Sequence, residues 1–402
     1  MSHAHFFDGR LALFAGKLYL GKRFTIHRPS HQEVFLELPS QHTVPLTWLL
    51  EHGSAPIRTR VLRDLAPDGF AERHLLEEAA AAVVESKVAR EIVSKQTDDG
   101  VWGGNLLGVT PAARSGIRDV GIIPQYRKLI ELGYPRSSRP FKLADRVLFR
   151  LLSRDNSPEL LFEYARIATD IDTTDWARAH ERIAATAALA EAGYVEDPRV
   201  RGAAHKIATD VSDFMRSPLA DNPYIRSGGT TLLHPDAYPP TWYLVAMIAA
   251  MPNLRRERAG FTERLAQYLG TAASKRTFSV QVGRKKIKGD YLLLGNPIEA
   301  DSHGHPRDLP LALHTLEQLA RIGALIHSPM GVRVMGRLLS ECDSLGVWRP
   351  KRMPTIRKAV HPAAYHSWGL QEDTKSGDAR YVETTFRLAL VAKMAGWELT
   401  FS

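Results

Sequence analysis

Leu129-Ile-Glu131-Leu-Gly133-Tyr134 recurs sixty residues later as Leu189-Ala-Glu191-Ala-Gly193-Tyr194, and Arg139 is matched by Arg199 at the same offset. Each copy has the form of a helix end. Glycine follows the last helical residue, where a left-handed backbone is tolerated. A second helical pattern follows each copy, over Leu143–Ser153 and Val200–Phe214. Weaker echoes stand at Ala320-Arg-Ile-Gly323 and Met394-Ala-Gly396-Trp397. A two-helix unit cannot bury its apolar face alone, so the recurrence predicts stacked helical pairs.

The pattern extends both ways from the repeat. Trp48-Leu49-Leu50, Ile57, Val61, Leu62 and Leu65 follow the three- and four-residue spacing of a helix face. Pro45 and Pro56 suit the first turns of two short helices. A longer helical zone covers Glu72 to Lys95, and a Gly-rich loop follows from Thr97 to Gly104. The first forty residues differ: Leu11-Ala-Leu-Phe14, Leu18-Tyr-Leu20 and Phe24-Thr-Ile26 predict short strands. Thr277 to Gly283 alternates apolar and polar residues, which predicts a β-hairpin. Its tip carries Arg284-Lys285-Lys286 and Lys288, with Lys275-Arg276 behind. Other strands are sparse after residue 45. The expected class is mainly α, with a β-rich arm over 1–43 and a helical domain over 44–402.

The 402 residues are 44% hydrophobic and 24% charged, which excludes a wholly disordered chain. One cysteine, Cys342, rules out an intramolecular disulfide or a zinc cluster of several cysteines. No stretch approaches the ~20 apolar residues of a bilayer span, and the start lacks a secretory pattern. A cytoplasmic protein is expected. Lys plus Arg number 53 against 44 Asp plus Glu, a formal charge of +9. Most of it is spread and reads as solvated surface. The hairpin at 275–288 is the one dense cluster. It lacks an aromatic stacking platform, which argues against nucleic acid as the partner. No phosphate-binding Gly-x-x-x-x-Gly-Lys-Ser/Thr loop and no Gly-x-Ser-x-Gly nucleophile elbow occur.

Val93-Ser-Lys-Gln96-Thr-Asp-Asp-Gly100-Val-Trp102 resembles the QW motif of the terpenoid cyclase and protein prenyltransferase superfamily. Leu338-Leu-Ser-Glu341-Cys-Asp-Ser-Leu-Gly346-Val-Trp348 has the same ending, with Glu in place of Gln. In physical terms, Gln or Glu meets backbone groups at a helix end, Gly makes the turn, and Trp staples the loop to the next helix. Trp48 to Leu65 and Arg380 to Leu390 resemble the start and end of bacterial squalene-cyclase-like proteins. The resemblance spans 44–402 and implies an (α/α)6 toroid around a central cavity. It implies no cofactor. Full-length cyclases have two barrels and this chain has room for one. Prenyltransferase β subunits bind zinc through Asp, Cys and His, but Cys342 is flanked as Glu-Cys-Asp, so no metal site is carried over.

Three constellations bear chemistry. Asp170-Ile-Asp172-Thr-Thr-Asp175 resembles the Asp-x-Asp-Asp acid motif of class II terpene cyclases, with Thr173 at its last position. Asp172 would then be a proton donor, held neutral by burial and by Asp170. The same run also suits a helix cap and an acidic first turn. Asp301-Ser-His303-Gly-His305 offers imidazole and carboxylate but matches no strong metal spacing; it reads equally as a polar loop. Trp242, Tyr243, Tyr365, His366 and Trp368 would line a cavity for an apolar or cationic ligand, or else pack between helices.

The expectation is thus a cyclase-like toroid that binds an isoprenoid or other apolar small molecule and carries out acid-catalysed cyclisation or isomerisation if it is an enzyme. The alternatives are a non-catalytic helical scaffold for a protein or anionic partner, and a carbohydrate-active α/α toroid. Fold alone does not choose among them.

Overall fold

The computed structural model describes residues 38–70, 72–108, 120–153, 155–273, 276–356, 360–372, 374 and 377–402. The expected N-terminal arm lies outside the described residues as far as residue 37, and so does Lys275.

The described chain is mainly helical with two small sheets. In order it forms β1 (Gln41–Val44), α1 (Leu46–His52), and α2 (Ala55–Arg60), which runs on through a π turn, Val61–Leu65. Next come α3 (Arg73–Glu85), α4 (Lys87–Val93), α5 (Ile122–Leu132), α6 (Arg139–Leu152), α7 (Ile171–Glu191) and α8 (Pro198–Arg216). Strands β2 (Tyr224–Ser227) and β3 (Thr230–Leu233) precede α9 (Trp242–Ala250), α10 (Pro252–Glu257) and α11 (Ala259–Gly270). The chain closes with β4 (Ser279–Val282), β5 (Lys285–Lys288), α12 (Leu309–Arg321), α13 (Pro329–Leu339), α14 (Ala379–Met394) and β6 (Glu398–Phe401).

The helical zone expected from Glu72 to Lys95 forms as two helices, α3 and α4. The hydroxyl of Ser86 accepts from Ala89 N at 3.3 Å and starts a new helix there. The repeated motifs behave as the sequence predicts. Gly133 and Gly193 take φ of +79° and +94°, and Tyr134 and Tyr194 N–H groups each reach back to Leu129 and Leu189 carbonyls at 3.0 Å. The echoes close alike: Ala324 donates to Leu319 O at 2.7 Å and Trp397 to Ala392 O at 3.1 Å. Four helices, α5, α7, α12 and α14, therefore end in one geometry that satisfies their last carbonyls.

Six of the helices pack in sequence. Helix α2 lies on α5, α5 on α7, α7 on α9, α9 on α12, α12 on α14, and α14 on the π turn that ends α2. The others flank them: α3 lies on α2, α6 and α8 on α7, α13 on α12, and α1 on α14. One apolar core runs through both sets, from Leu49 and Ile57 through Leu129, Leu189 and Met247 to Leu316 and Leu390.

Both Gly-x-Trp loops staple helices as their residue types suggest. Trp102 is buried and its Nε1 donates to Ile92 O at 2.9 Å, while Gln96 Nε2 donates to Pro140 O at 2.9 Å. Trp348 Nε1 donates to Glu341 Oε2 at 3.0 Å.

The expected basic hairpin forms, β4 against β5, but it is not isolated. Strands β2 and β3, joined through Gly228-Gly229 at φ +55° and +78°, extend it into a four-stranded sheet in the order β2-β3-β4-β5. Phe214, Leu233, Ala237, Val280 and Val282 make a small second core beneath it. Strand β1 pairs in parallel with β6, so chain positions 357 residues apart meet. Neither β1–β6 nor β2–β3 is expected from the sequence: four-residue strands carry too little alternation to read.

Candidate functional site

Helix α7 organises the interior. Its middle is rich in alanine, the best helix former, so neighbouring helices approach closely along it. Asp170 is its N-cap. Thr173 N donates to Asp170 Oδ1 at 2.8 Å, and Asp170 N donates back to the Thr173 hydroxyl at 3.2 Å. Asp170, Asp172 and Asp175 are exposed. The cap hydrogen bonds from Thr173 hold the Asp170 carboxyl below its ordinary range. That is opposite to what a neutral proton donor needs. The expected acid assignment to Asp172, Asp170 and Asp175 is therefore corrected: all three stand exposed on a solvated first turn, where burial cannot hold an acid neutral, and none lines either cavity described below.

A cavity of about 480 Å³ opens beside the next turns of α7. Trp176, His180 and Ile183 form one wall. Ile225, Leu232, Leu233 and Val280 of the sheet form another, Tyr238, Thr241, Tyr291 and Leu292 a third, and Ser227, His234 and Gln281 add polar groups. No Asp, Glu, Lys or Arg side chain among the described residues lines it. His180 stacks on Trp176, with ring centroids 5.5 Å apart, and meets Tyr291 edge-on at 4.5 Å. Burial pushes the His180 imidazole down to about 4, so it is neutral at pH 7. It makes ring contacts but takes no protein hydrogen-bond partner among the described residues.

Behind this wall lies Glu181, fully buried, with neither carboxylate oxygen hydrogen-bonded. Burial, reinforced by the nearby Glu163 charge, pushes its carboxyl up to about 8. Glu163 is itself fixed by accepting from Leu106 N at 2.7 Å and Leu107 N at 2.8 Å. A buried carboxyl that stays neutral near pH 7 is the property the sequence reading sought in Asp172. The signal was present: Glu181 stands four residues after Ala177 and four before Ala185, on the buried stripe of α7.

The five expected ligand-binding residues do not converge on one surface. Trp242 opens α9 and its ring lies 6.0 Å from both His314 and His361. Tyr243 lies under the Arg127 guanidinium at 5.7 Å. Tyr365 and Trp368 are half-buried, and the Trp368 carbonyl accepts from Lys128. Those four are packing residues that line neither this cavity nor the second one described next. His366 is buried, 5.0 Å from His314, and does reach that second cavity.

The second cavity, about 730 Å³, lies at the other end of α7, where Ala190, Glu191 and Gly193 line it. At ~1.5 Å per residue, Glu191 stands roughly 16 Å along the helix from His180. Residues from the ends of α5, α9, α12 and α14 join α7 there. Arg60 Nη1 reaches Glu131 Oε2 at 2.6 Å, and Arg127 grips Glu191 through two bonds of 2.6 and 2.7 Å. Arg387 bridges Glu131 and Glu317, each at 2.9 Å, and Arg321 holds Glu317 at 2.9 Å. Burial alone would raise the Glu131 carboxyl, but Arg60 and Arg387 hold it well below its ordinary range. The repeated Glu131 and Glu191 are thus acceptors for arginines of the helix packed before each, Arg60 of α2 and Arg127 of α5.

His303 and His305 are on an exposed loop, where His305 Nδ1 lies 3.0 Å from Asp301 Oδ2. Among the described residues no three His, Cys, Asp or Glu side chains are placed to hold a metal ion. Burial raises the half-buried Cys342 thiol to about 12, so it is not a thiolate nucleophile near neutral pH. On the hairpin, Lys285 Nζ is taken by Arg166 O at 2.7 Å and Lys286 Nζ by the Thr230 hydroxyl at 3.2 Å. No helix is long and apolar enough to cross a membrane among the described residues. Compared with protein-family models, curated proteins and solved structures, the chain matches none.

Proposed function

We propose that this protein is a single α/α toroid, similar in build to terpenoid cyclases, that binds an uncharged and largely apolar small molecule. The cyclic order of packing from α2 through α5, α7, α9, α12 and α14 back to the π turn supports the closed ring. The observation that carries the ligand class is the lining of the 480 Å³ cavity: mostly aromatic and aliphatic side chains, with Ser227, His234, Thr241 and Gln281 as the further polar groups and no Asp, Glu, Lys or Arg among the described residues. Its volume falls in the usual ~300–1,000 Å³ of small-molecule sites. A charged ligand entering there would lose its hydration without a counter-charge. Neutral His180 supplies a polar ring group without a protein hydrogen-bond partner among the described residues, suited to a hydroxyl at the end of an apolar body. An isoprenoid alcohol has that composition.

Trp176 in the wall makes binding readable by its fluorescence. Titration with farnesol should quench emission with a Kd on the order of micromolar. Val280→Arg, which sets a charge into the apolar wall, should abolish it. His180→Phe should weaken farnesol binding about tenfold while leaving the corresponding hydrocarbon, farnesene, unaffected. Absence of quenching up to the solubility limit of farnesol, or preferential binding of maltotriose, would overturn the reading. The second of those results would favour the carbohydrate-active alternative.

A further inference from the structure

The cavity at the C-terminal end of α7 holds more positive charge than its own ion pairs absorb. Its lining carries six cationic side chains and four carboxylates. Asp64, Glu131, Glu191 and Glu317 engage Arg60, Arg63, Arg127 and Arg321. Arg255 and Lys393 remain, with no carboxylate partner among the described residues. Arg255 Nη1 donates to the Ile248 and Ala249 carbonyls at 3.3 and 2.7 Å, and its other donors take no partner among the described residues. Burial, and after it the facing charge of Arg321, lower its pKa.

A second, independent observation lies in the same wall. Gln318 is 7% exposed, and its Oε1 is buried with no donor. A buried acceptor left unpaired is destabilising by ~1–3 kcal/mol unless a ligand or water donates to it. Helix C-termini gather at this end, and their carbonyls disfavour anions by the equivalent of about half a charge each. The unmatched cations oppose that field, and Arg255 already covers two of the carbonyls.

We propose that this cavity binds a small anionic metabolite that carries a hydroxyl beside its oxyanion. Arg255 and Lys393 hold the oxyanion, and the hydroxyl donates to Gln318 Oε1. The site is separate from the apolar cavity and does not depend on the ligand assigned there. Phosphate and carboxylate are both oxyanions, and the test distinguishes them.

The full-length protein is titrated calorimetrically with glycerol 3-phosphate, lactate and inorganic phosphate. Either glycerol 3-phosphate or lactate binds more tightly than about 10 mM, and the tighter of the two identifies the oxyanion. Lys393→Ala, an exposed position, weakens that probe about tenfold or more, as loss of a charge-assisted contact should. Gln318→Leu weakens the hydroxylated probe and leaves inorganic phosphate unchanged. Farnesol binding is unaffected in both variants, which separates this result from the reading of the apolar cavity. No heat from either hydroxylated probe at that concentration would overturn the proposal. So would equal affinity in wild type and Lys393→Ala, which would leave the surplus cations a purely structural answer to the helix ends. Equal weakening of inorganic phosphate by Gln318→Leu would remove the hydroxyl from the ligand.

Discussion

Replacing Glu181 by Gln should stabilise the protein, and by an amount that grows with pH. The wild-type carboxyl is fully buried, has no hydrogen-bond partner and sits near the Glu163 charge. Its pKa rises from an ordinary 4.5 to about 8 in the folded protein. Between those values the folded state holds a proton that the unfolded chain has lost, so stability falls as pH rises. At ~1.4 kcal/mol per pH unit, the fall is roughly 3 kcal/mol by pH 7 and about 5 kcal/mol from pH 8 upward. The amide introduced by Glu181→Gln keeps the shape of the neutral acid and does not ionise. The difference between variant and wild type should therefore be near zero at pH 4.5 and widen to a plateau above pH 8. For a chain of this length, unfolding entropy at ~2.1 cal/mol/K per residue turns 3 kcal/mol into about 4 °C of Tm. Scanning calorimetry on both proteins from pH 4.5 to 9 reads the effect, and all other titrating groups cancel in the difference. A Tm difference that stays constant over that range would refute the reasoning, because it would mean that Glu181 is ionised or partnered in the folded state.

Two further expectations address the sites already described. Asp170→Ala removes the N-cap of α7 and should reduce stability by about 1 kcal/mol in urea denaturation, with farnesol binding unchanged; lost binding with intact stability would restore a functional role to the acidic run. Arg387→Ala leaves Glu131 and Glu317 buried and short of a partner, and should reduce stability by about 3–5 kcal/mol. A loss under 1 kcal/mol in the same assay would mean that the remaining arginines re-pair both carboxylates.

Much of the fold is legible in the sequence because its signals are local. The glycines at 133 and 193 lie within five residues of the carbonyls their turns satisfy, and Gln96 and Trp102 within ten of Gly100 and Ile92. Such contacts are set by short stretches of chain, whatever the rest does. The caps of α2, α7 and α12 at Ser54, Asp170 and Asp308 are equally local. The same locality misleads at Asp170-Ile-Asp172: a helix cap and a catalytic acid share one spelling, and only burial separates them.

The candidate sites are another matter. The apolar cavity joins α7 to the sheet, whose strands β2 and β3 are too short to register as a pattern, and its largely apolar lining exists only once those strands and β4 fold over Trp176 and His180. Arg60 and Arg387 meet Glu131 across 71 and 256 residues of sequence, pairings that no spacing rule proposes. By itself the sequence determined how the repeated helices end and which glycines turn the chain there, since those are matters of backbone hydrogen bonds a few residues apart. Tertiary structure decided which carboxyl is buried and neutral, which arginines are neutralised, and which ring groups face a cavity. Desolvation and charge pairing depend on what surrounds a side chain, and that is assembled from distant parts of the chain.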